Sequence, residues 1–283
     1  MAIFTNQATL VYNGGSAVSN VAVGELLEVL SAEKTAVEGT YAPGELVTYV
    51  VSIRNTGTGA FTGLSLTDDL GGFTNGTGTV YPLTYEDGSI LYFVNGTLQA
   101  APAVTAGPPL AISGISVPAG GNAVIVYQAR ANQFASPQED GTITNTVTIT
   151  GGGLTTPVTA EETVTAETGP DVTITKTISP AQVADNGRVT YTFLIQNTGN
   201  EPVVATDDAV ITDTFDPILT DLVVTYNGTP WTEGINYTYD PATGLFSTVP
   251  GQITVPAATF IQNPDGSFTI NPGTAIIAVT GTI

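Results

Sequence analysis

Along most of the chain apolar and polar residues alternate one for one, the period that sends successive side chains to opposite faces of a β-strand. The pattern predicts strands at 47–53 (VTYVVSI), 90–94 (ILYFV), 123–129 (AVIVYQA), 142–150 (TITNTVTIT), 189–195 (VTYTFLI) and 274–283 (TAIIAVTGTI). Val, Ile, Thr and Tyr, which suit a pleated, half-buried surface, dominate these segments. Asn-Gly pairs begin at Asn13, Asn75, Asn95, Asn186 and Asn227, and each suits a type I′ hairpin turn. No segment carries a helical period. Short strands with turn signals at this spacing predict an all-β chain of antiparallel, immunoglobulin-like sandwiches.

The chain also repeats itself. YVVSIRNTG at 49–57 matches YTFLIQNTG at 191–199, so Tyr49 and Tyr191, Asn55 and Asn197, and Lys34 and Lys176 all stand 142 positions apart. LTDDL at 66–70 matches ITDTF at 211–215, aligning Asp68 with Asp213. VPAGGNAVIVYQARA at 117–131 matches INPGTAIIAVTGTI at 270–283. Copy one then continues into GTITNTVTITGG at 141–152, whereas copy two stops at Ile283 without that last strand. A counterpart lies at the other end, where AIFTNQATLVYNGG at 2–15 aligns Asn6 with Asn145. The expected organisation is a donor strand at 1–14, a linker at 15–29, a sandwich at 30–152, a linker at 153–170 and an incomplete sandwich at 171–283.

A sandwich edge that lacks its strand exposes unpaired backbone groups and an apolar groove. Strand addition from a neighbour fills such an edge, with Phe4, Asn6, Ala8 and Leu10 of the donor strand facing inward. Donor and acceptor lie at opposite ends, so the contact is head-to-tail and builds a filament of the chain with itself. The plainer arrangement pairs the N-terminal strand inside its own first sandwich, or loops it back onto its own second one.

The two lysines occupy equivalent positions, and parity sets both on core faces: Lys34 with Leu30, Ala32 and Ala36, and Lys176 with Val172, Ile174 and Ile178. Asn145, Asn6, Asp68 and Asp213 also share faces with apolar residues. A buried charge or amide is costly unless it is paired. One outcome is a buried Lys–Asp pair with Asn as a structural partner. The other is an isopeptide bond between lysine amine and asparagine carboxamide, promoted by a neutral lysine and a protonated aspartate. The sets are Lys34, Asp68 and Asn145 within one chain, and Lys176, Asp213 and Asn6 across the junction between two.

Composition narrows the chemistry. Five basic residues against 25 acidic ones give a formal net charge of −20, which repels nucleic acid. With no His and no Cys, thiol and Ser-His-Asp nucleophiles, zinc and haem sites and disulfides are excluded. No stretch approaches the roughly 18 apolar residues of a membrane span, and the N-terminus lacks a basic region ahead of an apolar core, so neither membrane insertion nor a signal peptide is expected. Asp68, Asp69, Asp207, Asp208, Asp213 and Asp216 lack the spacing of a calcium loop and read as turn-capping carboxylates; no metal or other cofactor is expected. Glycoside hydrolysis would need an aromatic cleft beside paired carboxylates. Trp231, Tyr237 and Tyr239 form either a glycan platform or core and rim aromatics. The expectation is a structural protein and not an enzyme. The alternative is a monomeric surface adhesin or carbohydrate-binding module.

GELVTYVVSIRNTG at 44–57 with LTDD at 66–69 and TITNTVTITG at 142–151, and GRVTYTFLIQNTG at 187–199 with ITDT at 211–214, resemble a repeat of bacterial surface proteins known as domain of unknown function eleven. The resemblance covers nearly the whole chain. Among such proteins the chain is most similar to two-repeat appendage proteins of clostridial endospores. The resemblance implies an extracellular or spore-surface filament, made without a signal peptide in the mother-cell cytosol and released by lysis, with anchor and tip partners unspecified.

Overall fold

The computed structural model describes residues 2–283 and is built from strands, with a single 3-10 turn at Ala205–Asp207. Two separate hydrophobic cores divide it into two sandwiches. In the first, one sheet runs in the order Thr97–Leu98, Leu91–Val94, Asn122–Ala131, Leu46–Asn55, Leu30–Ala36. The facing sheet runs Ala103–Thr105, Leu110–Val117, Phe61–Asp68, Thr142–Gly151, Val158–Ala166, Thr40–Tyr41. Alternation explains the layers: Val47, Tyr49, Val51 and Ile53 all point inward and are buried, while the residues between them are only partly covered. At two of the Asn-Gly turns both residues take positive φ (Asn95 48° and Gly96 77°; Asn227 48° and Gly228 79°), as a type I′ turn requires.

The second sandwich repeats the first sheet as Val172–Ser179, Arg188–Asn197, Gly273–Thr282, Thr220–Tyr226, Thr229–Trp231. Its facing sheet is reduced. Asp68 lies between Leu110 on one side and Val147 on the other, but its counterpart Asp213, in Thr212–Thr214, pairs only with Phe246 in Leu245–Thr248. Counterparts of two strands, 142–151 and 158–166, are missing among the described residues, where the sequence pattern predicted one.

Two stretches read as linkers contain strands. Val158–Ala166 lies inside 153–170 and belongs to the first sandwich, paired along its length with 142–151. Its Glu161-Glu162 pair masked an alternation in which Val164 and Ala166 are buried. Gly15–Val18 and Ala22–Leu26 lie inside 15–29 and fold back on Thr9–Tyr12 and Ala2–Asn6. Residues 2–26 thus form a two-stranded ribbon that pairs with neither sandwich.

The two copies also align differently near their ends. Asn55 Nδ2 donates to Pro118 O at 2.9 Å, and Asn197 Nδ2 donates to Pro256 O at 3.1 Å. Val117 pairs with Phe61 as Val255 bridges Val203. Val255-Pro256 is therefore the counterpart of Val117-Pro118, in place of Ile270-Asn271. Residues 259–272 are an insertion, the hairpin Thr259–Gln262 with Phe268–Asn271, where the first copy has a tight turn. That hairpin touches the first sandwich: Phe268 N donates to Gln133 O at 2.9 Å and Asn75 Nδ2 to Pro264 O at 3.0 Å. Asn200 joins the same boundary, donating to Glu167 O at 2.8 Å and Pro137 O at 3.2 Å and accepting from Gly169 N at 3.0 Å.

Candidate functional site

The first sandwich places Lys34, Asp68 and Asn145 in its interior, at 2%, 0% and 0% exposure. Lys34 sits on one sheet, opposite Val51, and reaches across to the other, where Nζ donates to Asp68 Oδ2 at 2.7 Å. The Oδ1 of Asp68 accepts from Leu70 N at 2.8 Å, which fixes the carboxylate plane. Asn145 lies diagonally from Asp68 on the same face, because Asp68 pairs with Val147. The structure therefore brings an amine and a carboxylate into contact and sets a carboxamide beside the carboxylate.

Two tyrosines complete the site, Tyr49, which the sequence marks only as a repeat position, and Tyr127, which it marks only as a strand residue. Tyr49 and Tyr127 face each other across paired strands with ring centroids 5.7 Å apart. Lys34 Nζ lies 4.7 Å from the Tyr49 centroid and 6.0 Å from that of Tyr127. The Tyr127 hydroxyl donates to Asp68 Oδ2, the oxygen that also receives the lysine. Burial first, and the Asp68 charge second, hold both phenols well above their ordinary range, so both stay protonated. Burial also lowers Lys34 from its usual value and outweighs the attraction of Asp68, which favours the neutral amine.

Asn145 is the anomaly. Neither Oδ1 nor Nδ2, nor the buried Tyr49 hydroxyl, makes a hydrogen bond of ordinary length, although the carboxamide lies near enough to both phenols to lower them slightly against the larger effect of burial. Each orphaned buried polar group costs about 1–3 kcal/mol, and native interiors contain few of them. The site thus sets a buried carboxamide beside a carboxylate that is in contact with a desolvated amine.

In the second sandwich Lys176 Nζ contacts Asp213 Oδ2 and lies 4.6, 5.5 and 5.4 Å from the centroids of Tyr191, Phe193 and Phe215. The parity rule had put Lys176 on a core face. The face is instead open: the Lys176 side chain is 39% exposed, and Val172, Ile174 and Ile178 are 45%, 52% and 43% exposed. The reason is physical, since among the described residues no strand covers them. Asn6 lies in the N-terminal ribbon and is exposed, as are Phe4, Ala8 and Leu10. One phenol is also absent here, because Val279 opposes Tyr191 where Tyr127 opposes Tyr49.

The other candidates resolve as supports of the fold. Asp69 Oδ1 accepts from Gly71 N and Thr146 N, and Asp207 Oδ2 accepts from Val204 N. Tyr237 is 4% exposed and packs on Phe246, Tyr239 hydrogen-bonds Leu219, and Trp231 stacks on Tyr226, so these aromatics form no common platform.

Removing Asp68 is expected to destabilise the first sandwich by about 3–5 kcal/mol, because the Lys34 amine, the Tyr127 hydroxyl and Leu70 N all lose their buried acceptor. Urea unfolding of Asp68→Ala made in an Asn145→Ala parent, where no cross-link forms, measures this. Lys34→Met in the same parent is expected to cost less, because Asp68 keeps its hydrogen bonds from Leu70 N and the Tyr127 hydroxyl.

The sequence matches no protein-family model and no curated protein. Among solved structures, a C-terminal fragment of the major pilin GBS80 of Streptococcus agalactiae aligns at 11% identity and a TM-score of 0.36, covering 87% of this chain and 91% of that one. The full-length major pilin SpaD of Corynebacterium diphtheriae aligns at 12% identity and a TM-score of 0.36, covering 86% and 59%. The pilus backbone RrgB of Streptococcus pneumoniae aligns at 11% identity and a TM-score of 0.35 over 86% of this chain, which spans about half (49%) of that protein. Likenesses at this level carry no function across.

Proposed function

We propose that the chain is the structural subunit of an extracellular or spore-surface filament, in which the N-terminal segment of one copy completes the second sandwich of the next. The observation that carries this reading is the pairing of a vacancy with its own filler. Among the described residues no second strand pairs beside Thr212–Thr214, and segment 2–12 (strands Ala2–Asn6 and Thr9–Tyr12), which aligns with the strand at that position in the first sandwich, stands outside both sandwiches with Phe4 at 59% and Leu10 at 66% exposure. A two-stranded ribbon is marginal alone, and a long exposed apolar edge associates with another chain.

The only chemistry in this reading is self-modification. The lysine Nζ attacks the asparagine Cγ, the Cγ–Nδ2 bond breaks, and one proton passes from Nζ through the aspartate to the departing nitrogen, which leaves as ammonia. Lys34 joins Asn145 within a chain, and Lys176 joins Asn6 of the neighbouring copy that completes its sandwich. The chain acts on no external substrate. Deleting residues 1–14 is expected to leave a monomer where the unaltered chain forms long multimers, as measured by light scattering and electron microscopy. Multimers that persist in the deletion would defeat the reading.

A further inference from the structure

We infer that the donor is the whole ribbon of residues 2–26, two strands inserted together, and that its second strand is what covers the exposed face carrying Lys176. This rests on the head-to-tail reading and specifies the surface it uses.

The first sandwich supplies the template. There the missing element is the hairpin of strands 142–151 and 158–166. Asn145 pairs with Glu162 and Ile143 with Val164. In the N-terminal ribbon Asn6 pairs with Ala22 and Phe4 with Gly24, the same register shifted to the other end of the chain. Past an extra residue near Asn20-Val21 the match resumes: Leu10 pairs with Ala17 as Ile149 pairs with Val158. The ribbon is a detached copy of the hairpin, strand for strand.

Coverage explains why both strands are needed. The element that packs on strand 30–36 is 158–166; strand 142–151 makes its contacts with 61–68 and 158–166. Under that cover Leu30 is 7% and Lys34 2% exposed. A lone donor at the position of 142–151 would pair with 212–214 and leave Val172, Ile174 and Ile178 in water. Strand 22–26 supplies the cover, and Leu26 aligns beside Val183 as Ala166 pairs with Tyr41.

The inner face of the ribbon is adjusted to this role. Where the first sandwich sets Val164 beside Ile143, the ribbon sets Gly24 beside the larger Phe4, whose ring fills the space that a side chain at position 24 would take: a Cβ there would lie 2.3 Å from Phe4 Cζ. Where Glu162 faces the Lys34 site, the ribbon offers Ala22, so the junction carries one acidic group fewer.

The test uses the full chain and a variant in which residues 15–26 are replaced by a Gly/Ser stretch of equal length, which keeps strand 2–12 and its reach. Molar mass is followed by light scattering, and amide hydrogen exchange is read on the assembled chain. The inference expects at least about tenfold weaker assembly of the variant, and amides of 15–26 in the unaltered assembly protected to the level of 158–166. Equal assembly of the variant, or free-chain exchange across 15–26 in the assembled protein, overturns it and leaves a single-strand donor standing. Failure of the unaltered chain to assemble at all overturns the head-to-tail reading and this inference with it. Gly24→Val provides an independent check within an otherwise intact ribbon, and is expected to weaken assembly in the same direction.

Discussion

Mixed in equal amounts, Asn6→Ala and Lys176→Ala chains are expected to give covalent dimers and nothing larger after boiling in detergent, while either variant alone gives monomers and the unaltered chain gives a ladder. The logic follows from one bond per junction. An Asn6→Ala chain retains Lys176 but donates no carboxamide; a Lys176→Ala chain donates Asn6 but accepts none. Only one combination reacts, and its product has no reactive end left. The geometry motivates a large effect. Lys176 already contacts Asp213 beneath three aromatic rings, and insertion of the ribbon would exclude water from that pair. Intact mass provides the control: Asn145→Ala or Lys34→Ala should preserve the ladder and retain one ammonia more per subunit than the unaltered chain. A ladder from Lys176→Ala alone would refute the assignment of the junction bond.

Much of this was legible in the residues, and the parts that were not have identifiable causes. Period-two alternation marks Leu46–Asn55 and Asn122–Ala131 without ambiguity, because one face is wholly buried and the other is not. The 142-residue offset placed Lys34 and Lys176 in equivalent strands, and both do sit opposite equivalent residues, Val51 and Phe193. Strand 158–166 was missed because two adjacent glutamates interrupt an otherwise regular pattern. The insertion at 259–272 was hidden by a chance match of Ile270-Asn271-Pro272 to Val117-Pro118; only the hydrogen bonds of Asn55 and Asn197 reveal which prolines correspond. Tyr127 could not be assigned to the site from sequence, since its approach to Asp68 depends on strand register across two sheets. The exposure of Lys176 shows how parity falls short: parity gives a direction along a strand and says nothing about whether another strand covers it.

The hairpin at 259–272 leads to an expectation about mechanics. Within one chain the boundary between sandwiches is tied by Asn200, by Phe268 to Gln133, and by Asn75 to Pro264. At a junction between copies the first sandwich of the incoming chain takes the place of the second, and none of these ties has a counterpart: Thr58 stands where Asn200 does, and the turn 118–121 stands where the hairpin does. Residues 27–29 then link the two without the bracing that 167–171 receive. A filament built this way should bend at every second joint, stiff inside each subunit and hinged between subunits. Angle distributions measured joint by joint in electron micrographs should be narrow and broad in alternation. Replacing 259–272 with the first copy's short turn should broaden the narrow class, and X-ray scattering of the monomeric 1–14 deletion should detect the same loosening without any filament. Equal distributions at all joints would mean that Asn200 and the hairpin contribute no stiffness, which would require that the carbonyls of Glu167, Pro137 and Pro264 exchange these partners for water at no cost to the alignment of the two sandwiches.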